Sequence, residues 1–351
     1  MAALHSIGAW LLRHLFDAET AHAVTIRALK SGFAPRIAMP ELPVLRCRVF
    51  GIDFPNPIGL AAGFDKNAEV VDAMLRLGFG FTETGTVTPK PQAGNPKPRI
   101  FRLTEDAAII NRLGFNNRGL DACKARLLAR QGRPGVVGAN IGANRDSADR
   151  IADYLQCFEA LIGLADYFTI NVSSPNTPGL RGLQQPEALQ SLLQQLLAVR
   201  ARAAAQPPLL LKIAPDLAEP ALRDVVEVAL RAGIDGLIIS NTTLAGREGL
   251  LSRHRAEAGG LSGRPLYASS TAMLREAWRM SNGALPLIGV GGVASGADAY
   301  GKIRAGASLV QLYTSMTFAG PDLVRAIAVE LAQLLARDGF ASVGEAVGAD
   351  A

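Results

Sequence analysis

Eight short apolar segments, each followed by a loop rich in Gly, Asn, Ser or Thr and mostly by an amphipathic helix, predict a (β/α)8 TIM barrel for this chain of 351 residues. Near-continuous apolar strands separated by helices indicate a parallel sheet buried on both faces. Eight such units close into a barrel before they form an open sheet. Length allows two domains, but the unbroken strand–helix alternation argues for one catalytic unit. The expected division is a helical segment at 1–40, a barrel at 41–340 and a tail at 341–351.

The N-terminal segment reads as a small helical hairpin over residues 4 to 33. Ile7, Leu11 and Leu15 follow helical spacing with Trp10 beside them. Asp17 is placed to cap the second helix, with Glu19 and Thr20 in its first turn. His22, Ile26, Leu29 and Phe33 share one face of it. Two readings stay open here: a hairpin packed on the main domain, and an amphipathic anchor at a membrane surface. Residues 46–54 then read as a short β-hairpin leading into the barrel.

The strand segments are 57–60, 81–84, 136–141, 167–172, 209–213, 236–240, 287–290 and 309–313. Helical patterns occupy 67–77, 117–131, 149–164, 186–205, 218–232, 266–281, 296–305 and 321–337. The second-to-third and sixth-to-seventh strand intervals are too long for one helix. Each holds an insertion, and in a barrel those insertions lie at the C-terminal mouth, where active sites are built.

Composition excludes several classes. With 49% hydrophobic and 19% charged residues the chain can bury a core and is not disordered. Three cysteines, Cys47, Cys123 and Cys157, form no CxxC pair, so neither a disulfide framework nor a metal site is expected. No apolar run approaches the roughly 18 residues of a spanning helix, and the start lacks a signal-peptide pattern. The net charge of +5 is mild and no long Lys/Arg run occurs, so nucleic acid is not an expected partner. No obligate protein partner is evident either.

Polar residues gather at the strand ends. Ala61-Ala62-Gly63-Phe64-Asp65-Lys66 follows the first strand and Gly85-Thr86 the second. Asn140 ends the third. Asn171 on the fourth runs into Ser173-Ser174-Pro175-Asn176-Thr177. Lys212 lies within the fifth, and Ser240-Asn241-Thr242-Thr243 closes the sixth. Gly291-Gly292 and Tyr313-Thr314-Ser315 follow the last two. A single strand-end Asn is as often a cap as a ligand, but eight of eight describe a large polar pocket. Its amides suit a ligand with many carbonyl and ring N–H edges. The glycines after the seventh strand, with Tyr313-Thr314 after the eighth, match the phosphate site typical of such barrels. Lys212 should point into the pocket, because burying it unpaired is costly. A cation there would stabilise the anionic reduced form of a flavin. Of the four histidines, His5, His14 and His22 lie in the N-terminal segment and His254 elsewhere, which argues against a His-based triad.

The runs NPIGLAAGFDKN, GTVTPKPQAGNPKPRIFRL, INRLGFNN, NIGAN, INVSSPNTPGLRGLQ, LKIAPDL, SNTTL, GGLSGRPL, IGVGG and GASLVQLYT occur in an order that resembles dihydroorotate dehydrogenase, specifically its class 2, quinone-linked branch. The resemblance runs from about residue 10 to 335. It implies FMN as cofactor, dihydroorotate and orotate as substrate and product, and a membrane quinone as electron acceptor, in pyrimidine biosynthesis. It also implies peripheral attachment to the cytoplasmic face of the cell membrane.

The family's roles carry over by matching position. Ser174 corresponds to the base that removes the C5 proton of dihydroorotate; class 1 members have cysteine there. Lys66, Asn111, Asn171, Asn176, Asn241 and Thr242 match substrate contacts, with the backbone of Arg112, Leu113, Gly114 and Phe115. Ala62, Gly63, Phe64, Asp65, Lys66, Thr86 and Asn140 match FMN contacts. So do Asn171, Lys212, Ser240, Gly263, Gly292, Tyr313 and Thr314. His22, Arg102 and Tyr313 match the lining of a quinone tunnel. Thr177 stands near enough in sequence to Ser174 to join a proton relay. Ala143 and Arg145 stand where many members carry lysines, which alters local charge and leaves Asn140 in place. Two rivals are a class 1 enzyme using fumarate or NAD, and a silent phosphate-binding barrel.

Overall fold

The computed structural model describes residues 15–32 and 36–351. Most of the first predicted helix lies outside these residues, as does Phe33. Eight strands form a closed, all-parallel barrel: β3 (Ile58–Leu60), β4 (Phe81–Val87), β7 (Val136–Ile141), β8 (Tyr167–Asn171), β9 (Leu209–Ile213), β10 (Gly236–Ile239), β12 (Leu287–Val290) and β13 (Ala307–Leu312). Every predicted strand is present and in the predicted order, so the chain is a (β/α)8 barrel.

Strand alternation builds the interior in layers. Phe81, Tyr167, Leu210, Ile238, Ile288 and Leu309 pack together inside the barrel. Gly59 and Gly138 make room for the two rings: a Cβ would fall 2.2 Å from the Phe81 ring at Gly59 and 2.1 Å from Tyr167 at Gly138. The floor is closed by the hairpin of β1 (Cys47–Val49) and β2 (Ile52–Phe54), whose Phe54 ring meets Phe81 edge-on at 5.2 Å. Two residues further along the strands the same inward face turns polar: Glu83, Asn140, Thr169, Lys212, Ser240 and Gln311. The other face of each strand is apolar and packs on helices, as Leu209, Leu211 and Ile213 do from β9.

The helices are α2 (Val71–Arg76), α3 (Gly119–Arg130), α4 (Arg150–Leu161), α5 (Pro186–Arg202), α6 (Glu219–Ala232), α7 (Tyr267–Met280), α8 (Gly296–Arg304) and α10 (Leu323–Arg337). A short α9 (Thr314–Ala319) directly after β13 was not expected. The predicted helix at 67–77 begins later, because residues 65–70 form a turn. In it the Asp65 carboxylate accepts from the backbone N–H groups of Asn67, Glu69 and Val70.

The two insertions meet. β5 (Ile100–Leu103) and β6 (Ala108–Asn111) come from the first and β11 (Gly260–Gly263) from the second. They form one antiparallel sheet in the order β11-β6-β5 beside the mouth. Against it lies α1 (Ala18–Lys30), capped by Asp17 as the sequence indicates. The barrel side of α1 is pinned by Glu19 to Arg99 at 2.7 Å and by Lys30 to Glu69 at 2.8 Å. Residues 341–351 pack on the barrel. Val343 and Ala346 are buried, and Asp350 pairs with Arg304 of α8. The apolar spacing of that stretch is too short to signal a docked segment.

Candidate active site

A cavity of about 830 Å³ opens at the C-terminal ends of the barrel strands and continues under α1. Its inner wall is polar. Asn171 donates to Thr86 Oγ1 at 2.9 Å and to Asn140 Oδ1 at 3.1 Å, and Thr86 donates to Asn140 at 2.7 Å. Asn241 donates to Ser173 Oγ at 2.9 Å. Four strands therefore bring their terminal amides and hydroxyls into one network, and most buried polar groups here are paired as the low local dielectric requires.

Lys212 rises from β9 into this wall. Burial pushes its amine below the ordinary lysine range; the field of Glu83 acts the other way. No carboxylate lies within ion-pair distance of Lys212 among the described residues. Lys66, on the loop after β3, donates to the Gly63 carbonyl at 2.5 Å, and burial lowers it to about 8. Two desolvated cations thus face one cavity, an arrangement that suits an anionic ligand.

Ser174 stands in the cavity wall on the loop after β8, nearly buried. Its Oγ accepts from the Asn176 backbone N–H at 3.3 Å, and Asn176 donates to the Asn111 carbonyl at 3.1 Å. Thr177 Oγ1, three residues on, is buried without a partner among the described residues. Opposite, Gly114 and Phe115 both take positive φ, 69° and 55°. The latter is uncommon for a bulky residue and is held by neighbours. Gln92 donates to both their carbonyls at 3.1 and 3.2 Å, Asn117 to Phe115 O at 2.8 Å, and Asn95 to Arg112 O at 2.9 Å. Arg145 in turn donates to Asn95 Oδ1 at 2.9 Å.

The outer end of the cavity is apolar. Ala18, Ala21, Thr25, Ala28 and Leu29 of α1 line it, facing Met316 and Phe318 of α9. His22 lies where the two ends join. Its ring is 5.3 Å from Phe64 and 6.4 Å from Tyr313, and Nε2 is 2.8 Å from the Phe64 carbonyl oxygen. A carbonyl only accepts, so Nε2 carries the proton. Burial, reinforced by the Lys66 charge, holds this imidazole down at about 3, so it is neutral.

Most expected residues line this one cavity: His22, Ala62, Gly63, Phe64, Lys66, Thr86, Arg102, Asn111, Leu113, Gly114, Phe115, Asn171, Ser174, Asn176, Lys212, Ser240, Asn241, Thr242, Gly263, Gly292, Tyr313 and Thr314. Three do not. Asp65 turns away to hold its own loop, Arg112 points its side chain to Glu257 at 2.9 Å, and Asn140 lies behind Thr86 and Asn171. Glu83, Gln311, Gln92, Asn95 and Arg181 are supporting residues not singled out from the sequence.

Two strand-end loops leave backbone where a side chain would intrude on a bound group. Gly63 has φ 102°, and a Cβ there would enter the open cavity with Tyr313 its nearest neighbour at 3.9 Å. Gly291 and Gly292, at φ 107° and 78°, leave backbone rather than side chain at the end of β12.

A family model described as dihydroorotate dehydrogenase matches residues 44–335. The chain belongs to the dihydroorotate dehydrogenase family. It is 59% identical over 340 residues to a protein of Parvibaculum lavamentivorans named dihydroorotate dehydrogenase (quinone), covering 97% of each chain. It is 57% identical to a protein of the same name from Allorhizobium ampelinum, covering 94% of this chain and 92% of the other. Among solved structures, dihydroorotate dehydrogenase of Eimeria tenella in complex with ferulenol superposes with a TM-score of 0.93 at 42% identity, over 98% of this chain and 99% of that one. Family membership makes the protein an oxidoreductase.

Proposed function

We propose that the protein oxidises (S)-dihydroorotate to orotate with bound FMN and passes the electrons to a membrane quinone, the oxidation step of pyrimidine biosynthesis. The observation that carries this reading is one continuous cavity with a polar, cationic wall at the barrel mouth and an apolar end under α1. A polar substrate and an apolar acceptor can reach the same cofactor from those two ends.

Gly63, Thr86, Asn171, Lys212, Ser240, Gly263, Gly292 and Thr314 would hold the FMN. Bound FMN supplies a hydride acceptor. Lys66 meets the substrate carboxylate. Asn111, Asn176, Asn241 and Thr242, with the backbone of 113–115, orient the ring, and fixed orientation removes part of the entropic barrier. Ser174 Oγ takes the C5 proton. A serine hydroxyl is a weak base, so the proton must leave promptly; the Thr177 hydroxyl beside it suits a water relay. Lys212 would supply a fixed positive charge beside the bound cofactor, in a site shielded from water.

Quinone enters between α1 and α9, past His22, Arg102 and Tyr313. Leu15 and Phe16 are exposed beside α1, and Arg27 lies on it, which suits attachment to an anionic membrane surface at its cytoplasmic face. No helix among the described residues is long and apolar enough to cross a membrane. The test is the purified protein with dihydroorotate and either a quinone or fumarate. A yellow protein that reduces quinone and not fumarate is expected. Fumarate reduction would point to a class 1 enzyme, and a colourless, inert protein to a silent barrel.

A further inference from the structure

Asn95, on the loop between β4 and β5, stands outside the cavity wall, yet it joins two stretches that form that wall. Its Nδ2 donates to the Arg112 carbonyl at 2.9 Å and to the Asn176 carbonyl at 3.2 Å. Arg112 follows β6, and Asn176 follows β8 two residues after Ser174. Asn95 Oδ1 accepts from Arg145, on the loop after β7, at 2.9 Å. Carbonyl oxygens only accept and a guanidinium only donates, so these partners admit one orientation of the amide. Both of its N–H groups are used.

The loop is shaped for this close approach. The Asn95 backbone N–H donates to the Leu113 carbonyl at 3.0 Å, and Arg99 donates to the carbonyls of Ala93 at 2.6 Å and Asn95 at 2.8 Å. Gly94 has φ 80°, and a Cβ there would fall 2.2 Å from the Leu113 carbonyl oxygen. At Gly114 a Cβ would fall 2.9 Å from Asn95 Cγ. A side chain at either glycine would push the two stretches apart. Asn176 is held at both ends, since its side chain donates to the Asn111 carbonyl at 3.1 Å while its own carbonyl accepts from Asn95. β6 pairs with β5 and β11, and β8 with β7 and β9. Side chains rather than a strand ladder therefore set the spacing between the stretches that follow β6 and β8.

We propose that Asn95, oriented by Arg145, is a positioning residue for the substrate: it clamps the Asn176 loop to the 112–115 stretch, so that both offer their contacts at one fixed spacing. The inference rests on the dihydroorotate reading above. A ligand that meets two stretches already held together does not pay to order them, and binds more tightly for that reason.

The experiment separates substrate binding from the rest of the cycle. Wild type, Asn95→Leu, Arg145→Met, Arg145→Lys and the double variant Asn95→Leu/Arg145→Met are prepared with bound FMN. Orotate is titrated through the flavin absorbance, and reduction by dihydroorotate and reoxidation by quinone are followed separately. Asn95→Leu should raise the orotate Kd and the dihydroorotate KM about tenfold, the scale of two modest hydrogen bonds. Flavin content and the rate of reoxidation by quinone should stay at the wild-type level. Arg145→Met should raise the orotate Kd about threefold, the scale of one such bond, and Arg145→Lys should recover most of that, because one donor suffices for Oδ1. The double variant should match Asn95→Leu alone, as it must if Arg145 acts only through Asn95. Unchanged orotate binding in Asn95→Leu, an equal loss of flavin content and quinone reoxidation there, or additive effects in the double variant would overturn the proposal. A wild-type protein that binds no orotate and is not bleached by dihydroorotate would instead overturn the dihydroorotate reading.

Discussion

Arg181 donates from Nε to the carbonyl oxygen of Ser173 at 3.1 Å, one residue before Ser174. The same guanidinium reaches Asp216 at 2.9 Å and the Thr242 carbonyl at 3.3 Å. One side chain therefore ties together the loops that follow β8, β9 and β10. Arg181→Met should lower turnover roughly tenfold to a hundredfold, the cost of about 1 Å of misplacement at a reacting group. FMN content should stay unchanged, since the cofactor-facing side chains remain. Lysine cannot reproduce the fork, so Arg181→Lys should recover only part of the rate. Steady-state turnover normalised to bound flavin checks both.

Ser174→Ala removes the proposed base and little else, because the Ser174 hydroxyl makes one modest contact, to the Asn176 N–H. Turnover should drop by about 10²- to 10⁴-fold, the usual worth of a positioned acid or base. Flavin absorbance and thermal midpoint should match wild type. Near-normal turnover in that variant would take Ser174 out of its role.

Lys212 titrates below the ordinary lysine range because it is buried. The amine is charged below its pKa and neutral above it. The stabilisation that we propose it gives a reduced flavin would therefore be present at low pH and lost as pH rises through that pKa. The flavin midpoint potential should fall more steeply with pH on the alkaline side in wild type than in Lys212→Met. Spectroelectrochemical titration of both proteins reads this, and parallel curves would count against the electrostatic role.

His22 bears on stability with the opposite sense of pH. Its folded-state pKa of about 3 lies below the value of 6.5 it has when free. The unfolded chain then binds the proton first. The contribution of the neutral imidazole is complete above about pH 6.5 and is lost progressively as pH falls toward 3. Hydrogen-exchange protection factors in α1, corrected for the intrinsic slowing of exchange at low pH, should drop over that window in wild type and drop less in His22→Gln.

Glu19 anchors the same helix. It pairs with the buried Arg99 and, at 3.3 Å, with Lys97. Burial alone would raise the carboxyl; these two cations hold it below its ordinary value instead. Glu19→Ala leaves the Arg99 guanidinium buried without its carboxylate, which is strongly destabilising for the contact. Quinone reduction should suffer, while a single pulse of dihydroorotate still bleaches the flavin at close to the wild-type rate. Equal loss in both half-reactions would show that α1 supports the whole site rather than the quinone end.

The parts of this protein that local pattern determines were legible from residue order alone. Alternation along each strand and helical spacing between strands set the eight-unit barrel. The position of Ser174, Asn171, Lys212 and Gly292 at strand ends marked the pocket, because a barrel exposes those ends and nothing else to a ligand. Asp17 as a cap needed only its neighbours. What required the tertiary structure depends on residues distant in the chain. Glu83 and Gln311 are 228 positions apart, and each reads in sequence as a polar interruption of an apolar strand. Their inward layer becomes a hydrogen-bonding centre only once the barrel closes. The joining of the two insertions into one sheet, Arg181 across three loops, and the seat of His22 against Phe64 are of the same kind. Periodicity records which face a side chain takes, whereas the partner it finds there is set by closure of the barrel, which brings β13 beside β3 and both insertions to one mouth.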